Sequence, residues 1–334
     1  MIAPEATAAL AHGGRLTEAR RLFPGAPEPW VDLSTGINPV PYPLPDLSPD
    51  CFTRLPEPDA EHALRAIAAR AYGAADAALV AAAPGTQMLI DLIPRLWPAR
   101  GVAVLGPTYA EHAHAWAKQG ARVSTVGAFD ALDGAEVAVV VNPNNPDGQR
   151  TPPARLLGLA DRMAARGGLL LVDEAFADLE GAGIAAALPH PGLIVLRSFG
   201  KTYGLAGLRL GFALAGPERA AAIRAALGPW AVSGPALAIG ARALADGDWL
   251  AATAARLAAE CRDLDALLAA AGPRVVGGTK LFRLAEGDAP AMFGRLGEAG
   301  IFVRRFAEHP RWLRFGLPGT PEAWARLRRV LVAR

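Results

Sequence analysis

The chain has 334 residues, of which 52% are hydrophobic, so it is long enough for one large domain and a smaller one with a substantial core. Its net charge of +2 gives no basis for a nucleic acid or membrane partner, and no apolar run reaches the length of a membrane span. The two cysteines are isolated and the first residues lack a secretory pattern, so we expect a cytoplasmic protein without disulfides or a metal site.

The first two thirds of the chain alternate between strand-length apolar runs and helix-length segments. We expect residues 1–36 to form an N-terminal arm, followed by a large domain over residues 37–228. Most of the apolar runs lack polar alternation, which is typical of strands covered on both faces. The pattern predicts an α/β domain with a mainly parallel seven-stranded sheet, built from the runs 78–83, 102–106, 122–126, 137–141, 169–173, 193–197 and 210–214.

The last third of the chain has a different pattern and predicts a smaller α+β domain over residues 229–334. It opens with an alanine-rich stretch, 235–271, that is long enough for one helix or two. Shorter strand and helix patterns then alternate, with predicted strands at 274–276, 281–285, 301–305 and 312–317 and predicted helices at 289–299 and from about 321.

Polar residues follow several strands of the predicted large sheet. "APGTQ" (83–87) precedes a helix whose first amides could hold an anion, and "VNPNNPDG" (141–148) follows another strand. Asp173 ends a buried apolar strand. Each feature alone has an ordinary explanation as a helix start, a turn or a helix cap. Together they occur at strand ends, where α/β sheets bind ligands.

Lys201 is the unusual residue among these strand ends. Only three of the 34 basic residues are lysine, and this one lies between glycines and apolar strands. "GKT" (200–202) is not a P-loop, because Val195 stands where that motif requires glycine. A lysine amine, a buried carboxylate and anion donors at strand ends are the groups that pyridoxal phosphate requires.

The motifs "SFGKTYGLAGLRLG", "VDEAF", "NNPDG" and "WLRFGLP" closely resemble those of fold type I pyridoxal phosphate enzymes, in the histidinol-phosphate aminotransferase-like branch. The resemblance extends over essentially the whole chain. It implies that Lys201 is the Schiff-base lysine, Asp173 the partner of the pyridine nitrogen and Tyr109 the ring that stacks on the cofactor. It further implies that the remaining cofactor contacts are Asn145 at the phenolic oxygen and Gly85, Thr86, Gln87, Ser198 and Arg209 at the phosphate.

Three positions depart from the aminotransferase pattern. Phe176 replaces a tyrosine near the cofactor, and Gly200 replaces a common serine. Leu55 stands where a tyrosine usually reaches the phosphate in the partner subunit. The resemblance still implies a homodimer.

Other motifs, "AHGGRL", "DLSTGINPV", "DEAF" and "WLRFGLP", resemble the threonine-phosphate decarboxylases of the cobalamin pathway. This resemblance implies a small phosphorylated amino acid, L-threonine O-3-phosphate, as substrate. The substrate contacts that it implies are His12, Gly13, Asn38, Asn145, Arg304 and Arg314. The choice between Arg304 and Arg305 stays open, and without the resemblance "HGG" would be a flexible turn.

Two other functions remain as alternatives. One is an aminotransferase for histidinol phosphate or a related amino acid on the same fold. The other is a non-catalytic regulator that binds pyridoxal phosphate. We disfavour the regulator, because the chain has no basic excess and its first motif begins near residue 11, which leaves no space for a DNA-binding domain before it.

Overall fold

The computed structural model describes residues 12–181 and 183–332. In these ranges the helices are α1 (Leu16–Leu22), α2 (Asp50–Thr53), α3 (Pro58–Tyr72), α4 (Thr86–Leu96), α5 (Glu111–Lys118), α6 (Pro153–Ala164), α7 (Phe199–Thr202), α8 (Pro217–Leu227), α9 (Gly234–Ala245), α10 (Gly247–Ala271), α11 (Ala289–Glu298) and α12 (Pro321–Val332). The strands are β1 (Val31–Leu33), β2 (Val80–Ala83), β3 (Gly101–Leu105), β4 (Arg122–Val126), β5 (Val137–Val141), β6 (Leu169–Asp173), β7 (Leu193–Ser198), β8 (Gly211–Ala215), β9 (Arg274–Thr279), β10 (Phe282–Glu286), β11 (Ile301–Arg305) and β12 (Trp312–Gly316).

The larger sheet has seven strands in the order β2-β8-β7-β6-β5-β3-β4. Only β8 runs antiparallel to its neighbours, so the predicted mainly parallel seven-stranded sheet is confirmed. Each predicted run coincides with one strand to within two residues. The carboxyl ends of β5, β6 and β7 therefore lie side by side at one edge of the sheet.

Helices cover both faces of this sheet, which explains its continuous apolar strands. On β6, Leu170 and Val172 join the core beneath α3, α6 and α9, whereas Leu169 and Leu171 join the core beneath α4, α5 and α8. A strand in this position has no solvent-facing side, so alternation of polar and apolar residues disappears. The edge strand β4 is the contrast, because Arg122 and other polar residues of it are exposed.

The smaller sheet has five strands in the order β1-β11-β12-β10-β9, with a core beneath α10, α11 and α12. Four of them are antiparallel neighbours, and they match the strands predicted for the last third of the chain. The fifth, β1, comes from the predicted N-terminal arm and pairs in parallel with β11. Residues 31–33 thus belong to the smaller sheet.

Core contacts refine the expected division of the chain. Leu237 and Ile239 of α9 lie in the core of the large sheet, whereas Leu257 and Leu264 of α10 lie in that of the small sheet. The alanine-rich stretch forms two helices because Asp246 caps α10, accepting a hydrogen bond from the Trp249 amide at 2.9 Å. We therefore propose a domain boundary at the start of α10, with β1 added to the small domain.

No helix in the described ranges is long and apolar enough to cross a bilayer.

Candidate active site

A cavity of about 380 Å³ opens at the carboxyl edge of the large sheet. The last residues of three neighbouring parallel strands line it, namely Val141 of β5, Asp173 of β6 and Ser198 of β7. This is the edge at which α/β sheets bind ligands. Of the residues selected from the sequence, those that line this cavity are His12, Gly13, Gly85, Thr86, Gln87, Tyr109, Asn145, Asp173, Ser198, Lys201, Arg209 and Arg314.

Lys201 lies on α7, directly after β7, and its amine faces the cavity. Within the described part of the chain its Nζ forms a single long hydrogen bond, 3.4 Å to Ser198 Oγ, and lies 5.2 Å from the Phe176 ring centroid. Burial lowers the pKa of this amine, with Arg314 and Arg209 acting in the same direction and Asp173 opposing them. A lysine with a depressed pKa holds more of the neutral, nucleophilic amine at neutral pH.

Asp173 is held as an ion by His112, a residue that the sequence reasoning missed. Burial pushes the pKa of Asp173 up, but the 2.9 Å contact between its Oδ2 and His112 Nε2 helps to bring the pKa below its ordinary value. The Ala175 amide also donates to Oδ1, at 3.0 Å. His112 is buried three residues after Tyr109, in the first turn of α5, and its place beside that residue is the signal that could have identified it.

The amino end of α4 is built to receive an anion. Gly85 precedes the helix with a φ of +87°, and among the described residues no side chain caps the first amides. A Cβ at Gly85 would stand 2.7 Å from Arg209 Nη2, so the guanidinium lies against this turn. Free helix amides, the helix dipole and an arginine together favour a phosphate group, and Ser198 adds a hydroxyl to the same cavity.

A chain of polar contacts connects this helix to the N-terminal segment across the cavity. Tyr109 donates from its hydroxyl to Gln87 Oε1 at 3.1 Å, and Gln87 donates to Glu111 at 3.3 Å. Glu111 also pairs with His12 Nε2 at 2.9 Å. Burial raises the pKa of Tyr109 to about 12, so its phenol stays neutral and its ring is an uncharged wall of the cavity.

Arg314 is a buried cation on β12 that reaches the cavity from the small domain. Its Nη1 donates to Asn145 Oδ1 at 2.5 Å and its Nη2 donates to the Ser34 carbonyl at 2.8 Å. Burial lowers its pKa to about 10, so it remains charged at neutral pH. Because the Asn145 oxygen faces Arg314, the Asn145 amide N–H groups face elsewhere and are the donors that it can offer a ligand.

Arg304 lies opposite Arg314 on the neighbouring strand, and facing residues of an antiparallel pair share one side of the sheet. It does not line the first cavity. It lines an adjoining cavity of about 400 Å³, which shares His12 and Gly13 with the first. Arg305 also borders this second cavity, but its guanidinium lies 4.0 Å from the Phe293 ring, on the other side of the sheet.

Of the site residues predicted from the sequence, Asn38 is the one that lines neither cavity. It is buried, with its Nδ2 donating to the Thr202 carbonyl at 2.9 Å and its Oδ1 accepting from Arg256 at 2.8 Å. Both ends of its amide are therefore used inside the protein. Thr35, Gly36 and Ile37, just before it, line the first cavity instead.

The three departures from the aminotransferase pattern have distinct structural settings. Phe176 packs edge-on against Phe282, at 5.1 Å, and so faces the cavity with an apolar ring. A Cβ at Gly200 would stand 2.7 Å from Ala206 Cα, so the turn after Lys201 excludes a serine there. Leu55 is 64% exposed and does not line the cavity of its own chain.

The residues present fit pyridoxal phosphate. The cavity offers a weakly bonded buried amine, a buried carboxylate kept ionised by a histidine, and an uncapped helix end beside an arginine. The ring of Tyr109 and the amide of Asn145 line the same cavity. Each of these protein groups can contact one functional group of the cofactor.

Comparisons with known proteins identify the family. The family model "Aminotransferase class I and II" matches residues 43–331. The chain is 48% identical to a threonine-phosphate decarboxylase of Sinorhizobium sp, covering 93% of this chain and 94% of that protein, and 44% identical to one of Pseudomonas aeruginosa, covering 97% of each. A solved structure, histidinol-phosphate aminotransferase from Sinorhizobium meliloti in complex with pyridoxal-5'-phosphate, superposes with a TM-score of 0.80 at 23% identity over 99% of this chain and 97% of the other. The chain therefore belongs to the aminotransferase class I and II family, and within it is similar to threonine-phosphate decarboxylases.

Proposed function

We propose that the protein is a pyridoxal phosphate-dependent decarboxylase that converts L-threonine O-3-phosphate into (R)-1-aminopropan-2-yl phosphate and CO2. The observation that carries the proposal is the pair of arginines, Arg314 and Arg304, on one side of the small sheet. One reaches the cavity of Lys201 and the other lines the adjoining cavity. A substrate with a carboxylate and a phosphate matches two such cations, and the similarity to two threonine-phosphate decarboxylases supports the same choice.

The cofactor would be held at its two ends. The amino end of α4, with Arg209 and Ser198, would bind the phosphate, and Asp173 would keep the ring nitrogen protonated. Asn145 would donate to the phenolic oxygen while Tyr109 covers one face of the ring. When bound, pyridoxal phosphate supplies an aldehyde for the amine and a ring that accepts an electron pair from Cα.

Lys201 and Arg314 would direct the reaction. The Lys201 amine, with its lowered pKa, would hold the cofactor through its aldehyde in the resting enzyme, and once the substrate amine takes its place the free amine would hold the proton for Cα. Arg314 can hold the substrate carboxylate through two N–H groups and so set the torsion about Cα. A carboxylate held in this way would be the group that is lost as CO2, and the proton held by Lys201 would take its place on Cα.

Further properties complete the proposal. The product of such an enzyme is the aminopropanol unit of cobalamin, so we place the reaction in cobalamin biosynthesis. Cys51 and Cys261 are both free thiols, which agrees with a reducing, cytoplasmic location. We also propose a homodimer, which the exposed apolar side chains of residues 44–55 support.

Product stoichiometry tests the proposed reaction against the aminotransferase alternative. With L-threonine O-phosphate alone, the protein should release CO2 and continue for many turnovers without a keto acid. Decarboxylation returns the cofactor to its aldehyde form in every cycle, whereas transamination leaves it as an amine. Efficient use of histidinol phosphate with 2-oxoglutarate, with no CO2 from phosphothreonine, would replace the decarboxylase with the aminotransferase. Cofactor binding without turnover of either substrate would favour the regulator.

A further inference from the structure

The helix that carries Lys201 is very short, and its carbonyl end needs partners from elsewhere. Helix α7 has four residues, so most of its carbonyl groups have no partner within the helix. The Asn38 amide donates to the Lys201 carbonyl at 2.8 Å, and Asn38 Nδ2 donates to the Thr202 carbonyl at 2.9 Å. The Tyr42 amide donates to the Tyr203 carbonyl at 2.8 Å. The segment 38–42 thus caps three successive carbonyls.

The segment lies as close to this turn as backbone permits. Gly204 has a φ of +67°, and a Cβ there would stand 2.7 Å from both the Asn38 carbonyl oxygen and Pro41 Cα. Asn38 itself is 2% exposed, so water cannot take the place of its hydrogen bonds without local opening. A change at Asn38 is therefore transmitted to the backbone of Lys201.

The orientation of the Asn38 amide is set by Arg256 of α10. Its Oδ1 accepts from Arg256 Nη2 at 2.8 Å and from the Val40 amide at 3.1 Å, and both partners are donors. With two donors at the oxygen, the nitrogen must face the Thr202 carbonyl. Arg256 is itself held by Glu260, one turn further along α10, at 2.7 Å.

We propose that Asn38 is a positioning residue for Lys201, and that Arg256 couples this position to the helix on which the small domain is built. Asn38 touches neither cavity, so it acts on the reaction through the lysine rather than on substrate. This inference rests on the proposed role of Lys201 as the cofactor's lysine. Under this proposal Arg256 orients Asn38 beside the Lys201 helix, although Arg256 lies on α10, which packs in the core of the small sheet.

Two variants distinguish the capping of α7 by Asn38 from a general loss of packing around this residue. Asn38→Leu keeps roughly the size of the side chain and adds no charge, but it removes the donor to the Thr202 carbonyl. Arg256→Met keeps much of the arginine stem and removes the donor. Glu260→Gln is the control, because an amide oxygen can still accept from Arg256.

The readout is the reactivity of the Lys201 amine in the full-length protein without added cofactor. The chain has only two other lysines, Lys118 and Lys280, which serve as internal references when all three are acetylated across a pH series and counted by mass spectrometry. The Lys201 amine is affected by charges at Asp173, Asp178, Arg209 and Arg314, none of which the variants change.

We expect the labelling midpoint of Lys201 to rise by about half a pH unit or more in both variants, because an uncapped helix end admits water to a buried amine. Lys118 and Lys280 should not move, and Glu260→Gln should match the parent protein. In the holoenzyme, kcat should fall about tenfold while KM changes less, since the substrate arginines are untouched.

A lower melting temperature with an unmoved Lys201 midpoint would reduce Asn38 to a purely structural residue and overturn the inference. If Asn38→Leu does not fold, Arg256→Met alone decides. Borohydride reduction of the parent protein separates the two proposals. Loss of the pyridoxyl label on Lys201 would refute the proposed cofactor role, while the labelling midpoints would still test the cap.

Discussion

At the scale of single residues, the site depends on buried ionisable groups whose neighbours decide their charge. Asp173 is 3% exposed and would favour its neutral form through burial alone. The His112 contact reverses that tendency, and its other ring nitrogen, Nδ1, has no hydrogen-bond partner in the described part of the chain. The ring therefore donates to the carboxylate through the Nε2 proton. This arrangement keeps an anion ready for the cofactor's ring nitrogen.

The first prediction concerns that anion. Asp173→Asn should reduce kcat on the order of a hundredfold, because an amide cannot hold the ring nitrogen protonated and a fixed charge at the reacting centre is lost. The protein should still fold, since the amide oxygen can accept from the Ala175 amide and the amide nitrogen can donate to His112 Nε2 when the histidine proton is on Nδ1. Steady-state kinetics and a thermal melt measure both effects. Turnover close to that of the parent would remove Asp173 from the catalytic site.

A second prediction distinguishes two adjacent arginines. Arg304→Ala should lower kcat/KM for L-threonine O-phosphate about ten- to a hundredfold, because a charge-assisted contact to the substrate phosphate disappears. Arg305→Ala removes the same charge from the neighbouring position, where the guanidinium stacks on Phe293. It should change kcat/KM by less than about threefold. Equal losses in the two variants would show that only the overall positive charge matters.

At the scale of secondary-structure elements, the sequence predicted what depends on local pattern. The seven strands of the large sheet follow from their apolar runs, and Lys201, Asp173 and Arg209 follow from their places beside strand ends. Contacts between distant segments carry no such local pattern. The strand β1 has only three residues, and its partner β11 lies about 270 residues further along the chain. His112 and Arg256 have their roles because the fold brings them to Asp173 and Asn38, which are distant in the sequence.

A buried charge cluster joins the turn after β6 to strand β7. Arg197 lies 2.9 Å from Glu174 and 2.8 Å from Asp178, and it is 4% exposed. Burial raises the pKa of both carboxyl groups, against the opposing effect of Arg197. Glu174 directly follows Asp173, so this cluster also fixes one wall of the site.

The third prediction follows from this cluster. Arg197→Met should cost about 3–5 kcal/mol of unfolding free energy at neutral pH, because two buried carboxylates lose their cation. Both groups have a folded pKa above the unfolded one, so the folded state binds protons more readily. Its stability falls as pH rises from the unfolded pKa through the folded pKa. The deficit of the variant should thus shrink at acidic pH.

Urea titrations of the parent and Arg197→Met at pH 7 and at about pH 5 measure this difference. A conservative control is Arg197→Lys, which keeps a cation and should lose less. If the deficit is the same at both pH values, loss of Arg197 does not change the protonation of the two carboxyl groups in the folded state, and the proposed cause of the deficit is wrong.

At the scale of the whole molecule, the surface carries large apolar side chains close together in the sequence. Leu44, Phe52 and Leu55 are 67%, 68% and 64% exposed. Leu55 and Cys51 border an open groove against Leu237 of α9. Large apolar side chains that are exposed this close together are typical of an interaction surface, and we propose that this one is the dimer interface. A second copy of the chain, paired across this surface, would cover them.

The last prediction tests that assembly. One chain has a mass of 34.7 kDa, and light scattering at micromolar concentration should give twice that value. Covering a leucine or phenylalanine is worth about 1.5–3 kcal/mol, and two-fold symmetry counts each substitution twice. Phe52→Asp with Leu55→Asp should therefore give a monomer, and a site completed by the partner should lose its cofactor more readily. Val332→Asp on α12, where the parent valine is 62% exposed, is the matched control and should remain a dimer. A parent protein that is monomeric under these conditions would leave the exposed residues 44–55 to some other partner and contradict the homodimer.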